Sequence, residues 1–107
     1  MPDSVRTGQL FLENLFAGEF AKAVDSFDPT LRAAVSDQSL SSLWNQISST
    51  FGKPLRHSGT RTSKTLTSVA EIVYLSWDFE RERIDVRMVV NNANKLIGLS
   101  FETPVIK

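Results

Sequence analysis

The sequence predicts an α+β fold, with helices in the first half of the chain and an antiparallel sheet in the second. Apolar residues recur at intervals of three and four up to Phe51, and at every second position from Val69 onward. The first spacing is typical of helices that bury one face, and the second of half-buried strands. Gly52 and Pro54 separate the halves, because glycine ends helices and proline cannot continue them. We therefore expect three N-terminal helices packed on a curved four-stranded antiparallel meander.

The first two helices are predicted on either side of Gly18. Ser4 is an N-cap residue for a helix that runs to about Phe16, and Gly18 ends it. The second helix has one apolar face at the i, i+3, i+4, i+7 spacing, formed by Phe20, Ala23, Val24 and Phe27.

The third helix is predicted to follow a short helical piece at residues 30–35. Asp28 caps this piece and Pro29 is tolerated at its first position, where the missing N–H has no partner to lose. Ser36 or Asp37 then caps the third helix. Its apolar stripe is the clearest in the chain and consists of Leu40, Leu43, Trp44, Ile47 and Phe51.

Strands are predicted from the alternation of apolar and polar residues at 69–79, 83–90 and 96–101, with a weaker candidate at residues 55 to about 62. The connections between the later strands are short and polar, as hairpins require. The predicted first hairpin puts apolar side chains on one face by pairing Phe79 with Ile84, Trp77 with Val86, Leu75 with Met88 and Val73 with Val90. This face has to be covered, and the helices are available to cover it.

The outer face of the sheet is predicted to be mixed in character. Its candidate contact residues are Ile72, Tyr74, Arg87, Val89 and Leu96. An antiparallel sheet that leaves one face to water usually carries a more polar set there. Two interpretations stay open: a surface that forms a homodimer or meets another domain, or a partly exposed sheet with scattered apolar residues.

Composition excludes several functional classes. The 107 residues suit one domain, and 12 basic against 12 acidic residues give no net charge. A nucleic-acid-binding domain would usually show a basic excess, so no nucleic-acid partner is expected. The absence of cysteine excludes disulfides, thiolate nucleophiles and cysteine-based metal sites. We expect no metal and no cofactor.

No membrane partner is expected either, because no apolar run approaches the roughly 18 residues that indicate a membrane span. The N-terminal residues lack the apolar core of a signal peptide, which favours a cytoplasmic location.

The segment GEFAKAVDSFDPTLRAAVSDQSLSSLW and the closing KLIGLSF resemble domain-of-unknown-function family 3887, a relative of the nuclear transport factor 2-like superfamily. The resemblance covers nearly the whole chain and rests on structural positions: a Gly-acidic-Phe helix start, a Phe-Asp-Pro turn, the helix that carries Trp44, and a final Gly-Leu-x-Phe strand. It implies a cone-shaped fold that encloses a pocket, dimerisation through the sheet, and often a role as an accessory module.

The superfamily also contains ketosteroid isomerases, polyketide cyclases and epoxide hydrolases, whose acid–base residues project into the cone. None of those residues can be matched to this sequence. The inward strand positions are apolar instead: Val73, Leu75, Trp77, Val86, Met88, Leu99 and Phe101.

Few side chains suggest chemistry. His57 is the only histidine, and histidine is the residue type best suited to act as a general base near neutral pH. It has no partner carboxylate nearby in the sequence, and a lone histidine of this kind is more often a solvated strand residue than a functional group. Asp78 and Asp85 are predicted on the outer face, together with Arg83 and Arg87. We expect a network of surface charges there rather than a catalytic pair of carboxylates, because an exposed sheet face offers little desolvation.

We therefore expect a non-catalytic ligand-binding or accessory domain for a small apolar ligand. The candidate pocket residues are Trp44, Ile47, Phe51, Leu75, Trp77, Met88 and Phe101, with His57 as the candidate polar site. Two alternatives stay open: a small isomerase- or cyclase-like enzyme acting on an apolar substrate, and a pure dimerisation module.

Overall fold

The computed structural model describes residues 4–64 and 70–103, and within them it shows four α-helices followed by four strands. The helices are α1 (Ser4–Phe16), α2 (Phe20–Ala23), α3 (Pro29–Ala34) and α4 (Asp37–Phe51), and a single 3₁₀ turn (Val24–Ser26) follows α2. The prediction of three helices is therefore wrong by one. The short piece after Asp28-Pro29 is a separate helix, and the second predicted helix ends early in the 3₁₀ turn.

Side-chain caps set the beginnings of α3 and α4, as predicted. Asp28 accepts a hydrogen bond of 2.8 Å from the backbone N–H of Leu31. Ser36, rather than Asp37, caps α4 and accepts a hydrogen bond of 3.1 Å from the N–H of Ser39. Ser4, predicted as an N-cap, is the first residue of α1, where it is buried and its hydroxyl donates to the Glu71 carboxylate.

The strands are β1 (Pro54–Lys64), β2 (Ala70–Phe79), β3 (Arg83–Asn91) and β4 (Leu96–Glu102). They form one antiparallel sheet in the order β1-β2-β3-β4, which is the predicted meander. The predicted start of β2 at Val69 lies outside the described residues.

The β2–β3 register differs from the prediction by two residues. Trp77 lies opposite Ile84, and Leu75 lies opposite Val86. The reason lies at the turn, where the N–H of Glu80 donates to Lys53 O and that of Arg81 donates to Phe51 O, so both residues leave the hairpin ladder. A shift by an even number keeps every side chain on its predicted face, so the apolar inner face is the expected one.

Leu96 was predicted on the outer face, and the structure corrects this. A β-bulge between Val89 and Val90 pairs Val90 directly with Leu96 and leaves Ile97 as the extra residue. The bulge reverses the alternation at this point. Leu96 is fully buried in the core, whereas Ile97 is 42% exposed.

The helices cover the inner face of the sheet. α1 packs on β2 and β3 and buries Phe11, Leu12 and Leu15. The sheet contributes the following buried side chains: Val73, Leu75, Phe79, Ile84, Val86, Met88, Val90 and Leu96. β1 differs from its neighbours because nearly all of its residues are exposed.

The junction between α4 and β1 supplies a stability prediction. Gly52 has φ 86° and ψ −157°, a conformation that is essentially restricted to glycine, and an added Cβ would lie 2.6 Å from Glu80 Cβ. Gly52→Ala should therefore lower the free energy of unfolding by about 2 kcal/mol or more. Urea denaturation followed by tryptophan fluorescence measures this change.

Gly18→Ala is the matched control, because Gly18 also has a positive φ of 76° but open space around it. It should cost only about 1 kcal/mol. Adding Glu80→Gly to Gly52→Ala should recover part of the loss, because glycine lacks the Cβ that the new methyl group meets. Equal losses for the two glycine variants would contradict the clash.

Candidate functional site

A groove lies between α1 and the first two strands. Its volume is about 360 Å³. The lining residues are Gln9, Leu12, Glu13 and Phe16 from α1, His57 from β1, and Leu75 and Trp77 from β2. The groove therefore combines an apolar floor with three polar side chains.

Helical spacing explains the α1 side of the groove. The four lining residues of α1 follow the i, i+3, i+4, i+7 pattern, so they share one face of the helix. Leu12 is fully buried and Phe16 half-buried, whereas Gln9 and Glu13 are exposed. The two polar residues therefore form the rim, which leaves the groove open to solvent there.

Aromatic rings form one wall of the groove. Phe16 and Trp77 meet edge to face, with ring centroids 4.8 Å apart and an interplanar angle of 79°. Phe16 also contacts Trp44 at 5.2 Å and Phe79 at 6.2 Å, so Trp44 lies against Phe16 without lining the groove. These contacts hold Phe16 in place and give the groove a firm aromatic surface.

His57 stands at the β1 side of the groove, with its ring 5.7 Å from that of Trp77. Its Nε2 lies 2.7 Å from Gly59 O and 3.0 Å from Thr60 Oγ1. A carbonyl oxygen can only accept, so Nε2 carries the proton and donates. In the neutral ring this leaves the Nδ1 lone pair as an acceptor.

Glu13 is the one acidic residue that lines the groove. Across residues 4–64 and 70–103, its carboxylate has neither an ion pair nor a hydrogen-bond donor. The residues one helical turn away from it are Gln9, Leu10, Phe16 and Ala17, none of which is a cation. The groove therefore has an uncompensated negative charge at its rim.

The structure brings together only some of the residues predicted for the pocket. Leu75, Trp77 and His57 line the groove. The remaining predicted residues belong to the core or pack against it: Trp44, Ile47, Phe51, Met88 and Phe101. Trp44 contacts the rings of Phe16 and Phe79, and Met88 packs against α1 at Gly8.

None of the four α1 residues was predicted to line the groove, and Gln9 and Glu13 are the polar ones among them. The signal that could have found them is their position on the face of α1 that also carries Leu12 and Phe16. Polar residues at the edge of an apolar helical stripe lie where the helix meets solvent, which is the rim of any adjoining groove.

The outer face of the sheet carries cross-strand pairs of half-buried residues between β2 and β3. Ile72 lies opposite Val89, and Tyr74 lies opposite Arg87. From β1, the Arg61 guanidinium lies 4.0 Å from the centroid of the Tyr74 ring, a cation–π contact. Leu96 is not part of this candidate contact surface, because it is buried in the core.

A charge network occupies the end of this face near the β2–β3 turn. Asp78 accepts hydrogen bonds of 2.8 Å from Arg83 and 3.0 Å from Arg56. The Arg83 bond, followed by the Arg56 bond, holds the pKa of Asp78 below its ordinary value of 3.8. The same pair raises the pKa of Arg83. Asp85 instead accepts a hydrogen bond of 2.6 Å from Ser76.

Within the described parts of the chain, no three His, Asp or Glu side chains converge closely enough to bind a metal ion. None of the described helices is both long and apolar enough to span a membrane.

The sequence model of a family described as "Protein of unknown function (DUF3887)" matches residues 9–99. The match covers all four α1 residues of the groove, His57, Leu75 and Trp77, together with most of the sheet. No curated protein and no solved structure matches the chain.

The Asp78 network predicts a specific pH dependence. Because the folded state lowers the pKa of Asp78, its contribution to stability is present above pH 3.8 and is lost as the pH falls below that value toward the folded pKa. Asp78→Asn should therefore reduce stability at neutral pH and flatten the loss of stability below pH 3.8. Urea denaturation across this range measures both effects.

Glu13→Gln is the control, because it removes a carboxylate that has no ion pair within the described residues. An acid-limb profile for Asp78→Asn that superimposes on the wild-type profile would show that the pair does not contribute to stability.

Proposed function

The chain belongs to domain-of-unknown-function family 3887, and we propose that it is a non-catalytic binding domain that holds a small ligand in the groove between α1 and β2. The observation that carries the proposal is the aromatic wall formed by Phe16 and Trp77 beside an apolar floor. An edge-to-face pair fixed by further aromatic contacts offers a flat molecule a surface that is already in place.

The dimensions of the groove support the same proposal. A volume of about 360 Å³ lies in the range of roughly 300–1,000 Å³ typical of small-molecule sites. Such sites combine apolar walls with a few polar groups that fix orientation. Here Gln9, Glu13 and His57 are the polar groups. At this size, the ligand would be a compact ring system rather than a long chain.

We further propose that the fold is a nuclear transport factor 2-like cone built as one domain. The order of elements supports this assignment: helices first, then a four-stranded meander whose apolar inner face they cover. The groove would then be the mouth of the cone. A binding site that lacks a catalytic centre would also suit an accessory role beside another domain.

A small isomerase- or cyclase-like enzyme is the second candidate, and one observation favours it. His57 and Glu13, an imidazole and a carboxylate, line the same groove. Against it stands the hydrogen bonding of His57, whose Nε2 is engaged by its own strand. Glu13→Gln and His57→Gln would each abolish turnover if the pair were catalytic, whereas a binding domain would show no turnover to lose.

Homodimerisation through the outer face of the sheet is a separate proposal. It is supported by the half-buried pair Ile72 and Val89 beside Tyr74, which forms an apolar patch bordered by Arg61 and Arg87. Burying such a patch between two copies would stabilise a dimer.

Binding in the groove is tested with naphthylmethanol, a neutral aromatic probe, by NMR of the two tryptophan indole N–H signals. The Trp77 signal should shift saturably, and the Trp44 signal should shift less because Trp44 does not line the groove. Trp77→Ala lacks the Trp77 signal, so its affinity is measured by calorimetry; it should be about tenfold weaker, since the aromatic wall contributes on the order of 1.4 kcal/mol.

Trp44→Phe is the matched control and should retain binding. Trp77→Phe, which keeps an aromatic wall, should lose less than Trp77→Ala and so shows that the loss is not due to unfolding. Unchanged affinity in a folded Trp77→Ala variant would place the binding elsewhere.

The dimer is tested by light scattering at high protein concentration. Tyr74→Glu should halve the mass, because it puts a charge in the centre of the proposed interface. Gln46→Glu adds the same charge at an exposed position of α4 and should leave the mass unchanged. A wild-type protein with the mass of one chain would overturn the proposal.

A further inference from the structure

We infer that the ligand of this groove is an aromatic or cyclic cation, such as an ammonium compound, rather than a neutral apolar molecule. The inference rests on the proposed function and specifies its ligand class. It depends on three features of the groove: the charge at its rim, the hydrogen-bonding character of its polar atoms, and the chemistry of its wall.

The first feature is the unmatched charge of Glu13. Three acidic residues of the described chain have ion-pair partners: Glu19 with Lys22, Asp25 with Arg32, and Asp78 with Arg83 and Arg56. Glu13 has no such partner within the described residues, and no basic residue lines the groove. A ligand in contact with this lining therefore meets one negative charge and no positive charge.

The second feature is that the lining offers mainly acceptors. Because the Nε2 proton of His57 is donated to Gly59 O, the neutral ring presents only the Nδ1 lone pair. The Glu13 carboxylate can only accept, and the Gln9 amide can do either. A ligand with N–H donors satisfies all three groups, whereas a carboxylate or phosphate would satisfy only the amide and would be repelled by Glu13.

The third feature is the aromatic wall. Cations are attracted to the faces of tryptophan and phenylalanine rings, tryptophan most strongly. The opposite face of the same sheet already shows this interaction, in the contact of Arg61 with Tyr74 at 4.0 Å. An aromatic wall next to an unmatched carboxylate is a combination that suits an ammonium group attached to a ring.

The test compares three probes of similar shape and different charge: naphthylmethylamine, naphthylmethanol and naphthoate. Affinities are measured by NMR titration of the Trp77 indole N–H. The amine should bind roughly fivefold to tenfold more tightly than the alcohol, as expected for one partly solvated charge pair together with a cation–π contact. Naphthoate should bind most weakly.

Glu13→Gln should abolish the preference for the amine, because it lowers the affinity of the amine more than that of the alcohol. Glu19→Gln is the matched control, since Glu19 is also exposed but does not line the groove, and it should preserve the preference for the amine. Both sites are exposed, so neither substitution should disturb folding.

The outcomes separate the inference from the proposed function. If the amine and the alcohol bind the wild-type protein equally, or if Glu13→Gln keeps the preference, the inference is wrong while binding in the groove stands. If no probe shifts the Trp77 signal, the proposed function itself is wrong and the inference falls with it.

Discussion

The packing of α1 across the inner face of β2 and β3 is the constraint on which the rest of the structure depends. An apolar sheet face exposed to water would be costly, and Phe11, Leu12 and Leu15 remove it from water. Phe16, at the end of the same helix, then joins Trp44 of α4 to Trp77 and Phe79 of the sheet. Phe16 of α1 is thus one link between the helical layer and the sheet, and Trp44 of α4 is another through its contact with Phe79 at 6.0 Å.

The groove lies where α1 no longer covers the inner face of the sheet. The inner side of β1 offers α1 little apolar surface to pack on, because Thr60 and Thr62 lie opposite Leu75 and Val73, and His57 lies opposite Trp77. The helix consequently leaves Trp77 half-buried with a space beside it. The groove therefore exists because β1 carries polar residues beside an apolar strand. Its polar side chains come from β1 on one side and from α1 on the other.

Much of the architecture could be predicted from the sequence, since the period of the apolar residues identifies each layer and its buried face. The β2–β3 register could not, because it depends on bonds from Glu80 and Arg81 to the distant α4–β1 junction. The burial of Leu96 depends on a bulge that the alternation does not reveal. For the site, Leu75, Trp77 and His57 could be anticipated from strand position, but Glu13 required knowledge of where α1 crosses the sheet.

The exposed, polar character of β1 has a consequence for how the protein behaves in a crowded solution. A strand at the edge of a sheet can template the addition of strands from other molecules, which leads to aggregation. β1 carries Arg56, Arg61 and Lys64 without a single acidic residue, and irregular pairing on both sides of Arg56 and His57 interrupts its ladder. Like charges would oppose each other if two such edges met, so the strand that opens the groove also discourages the protein from polymerising through its sheet.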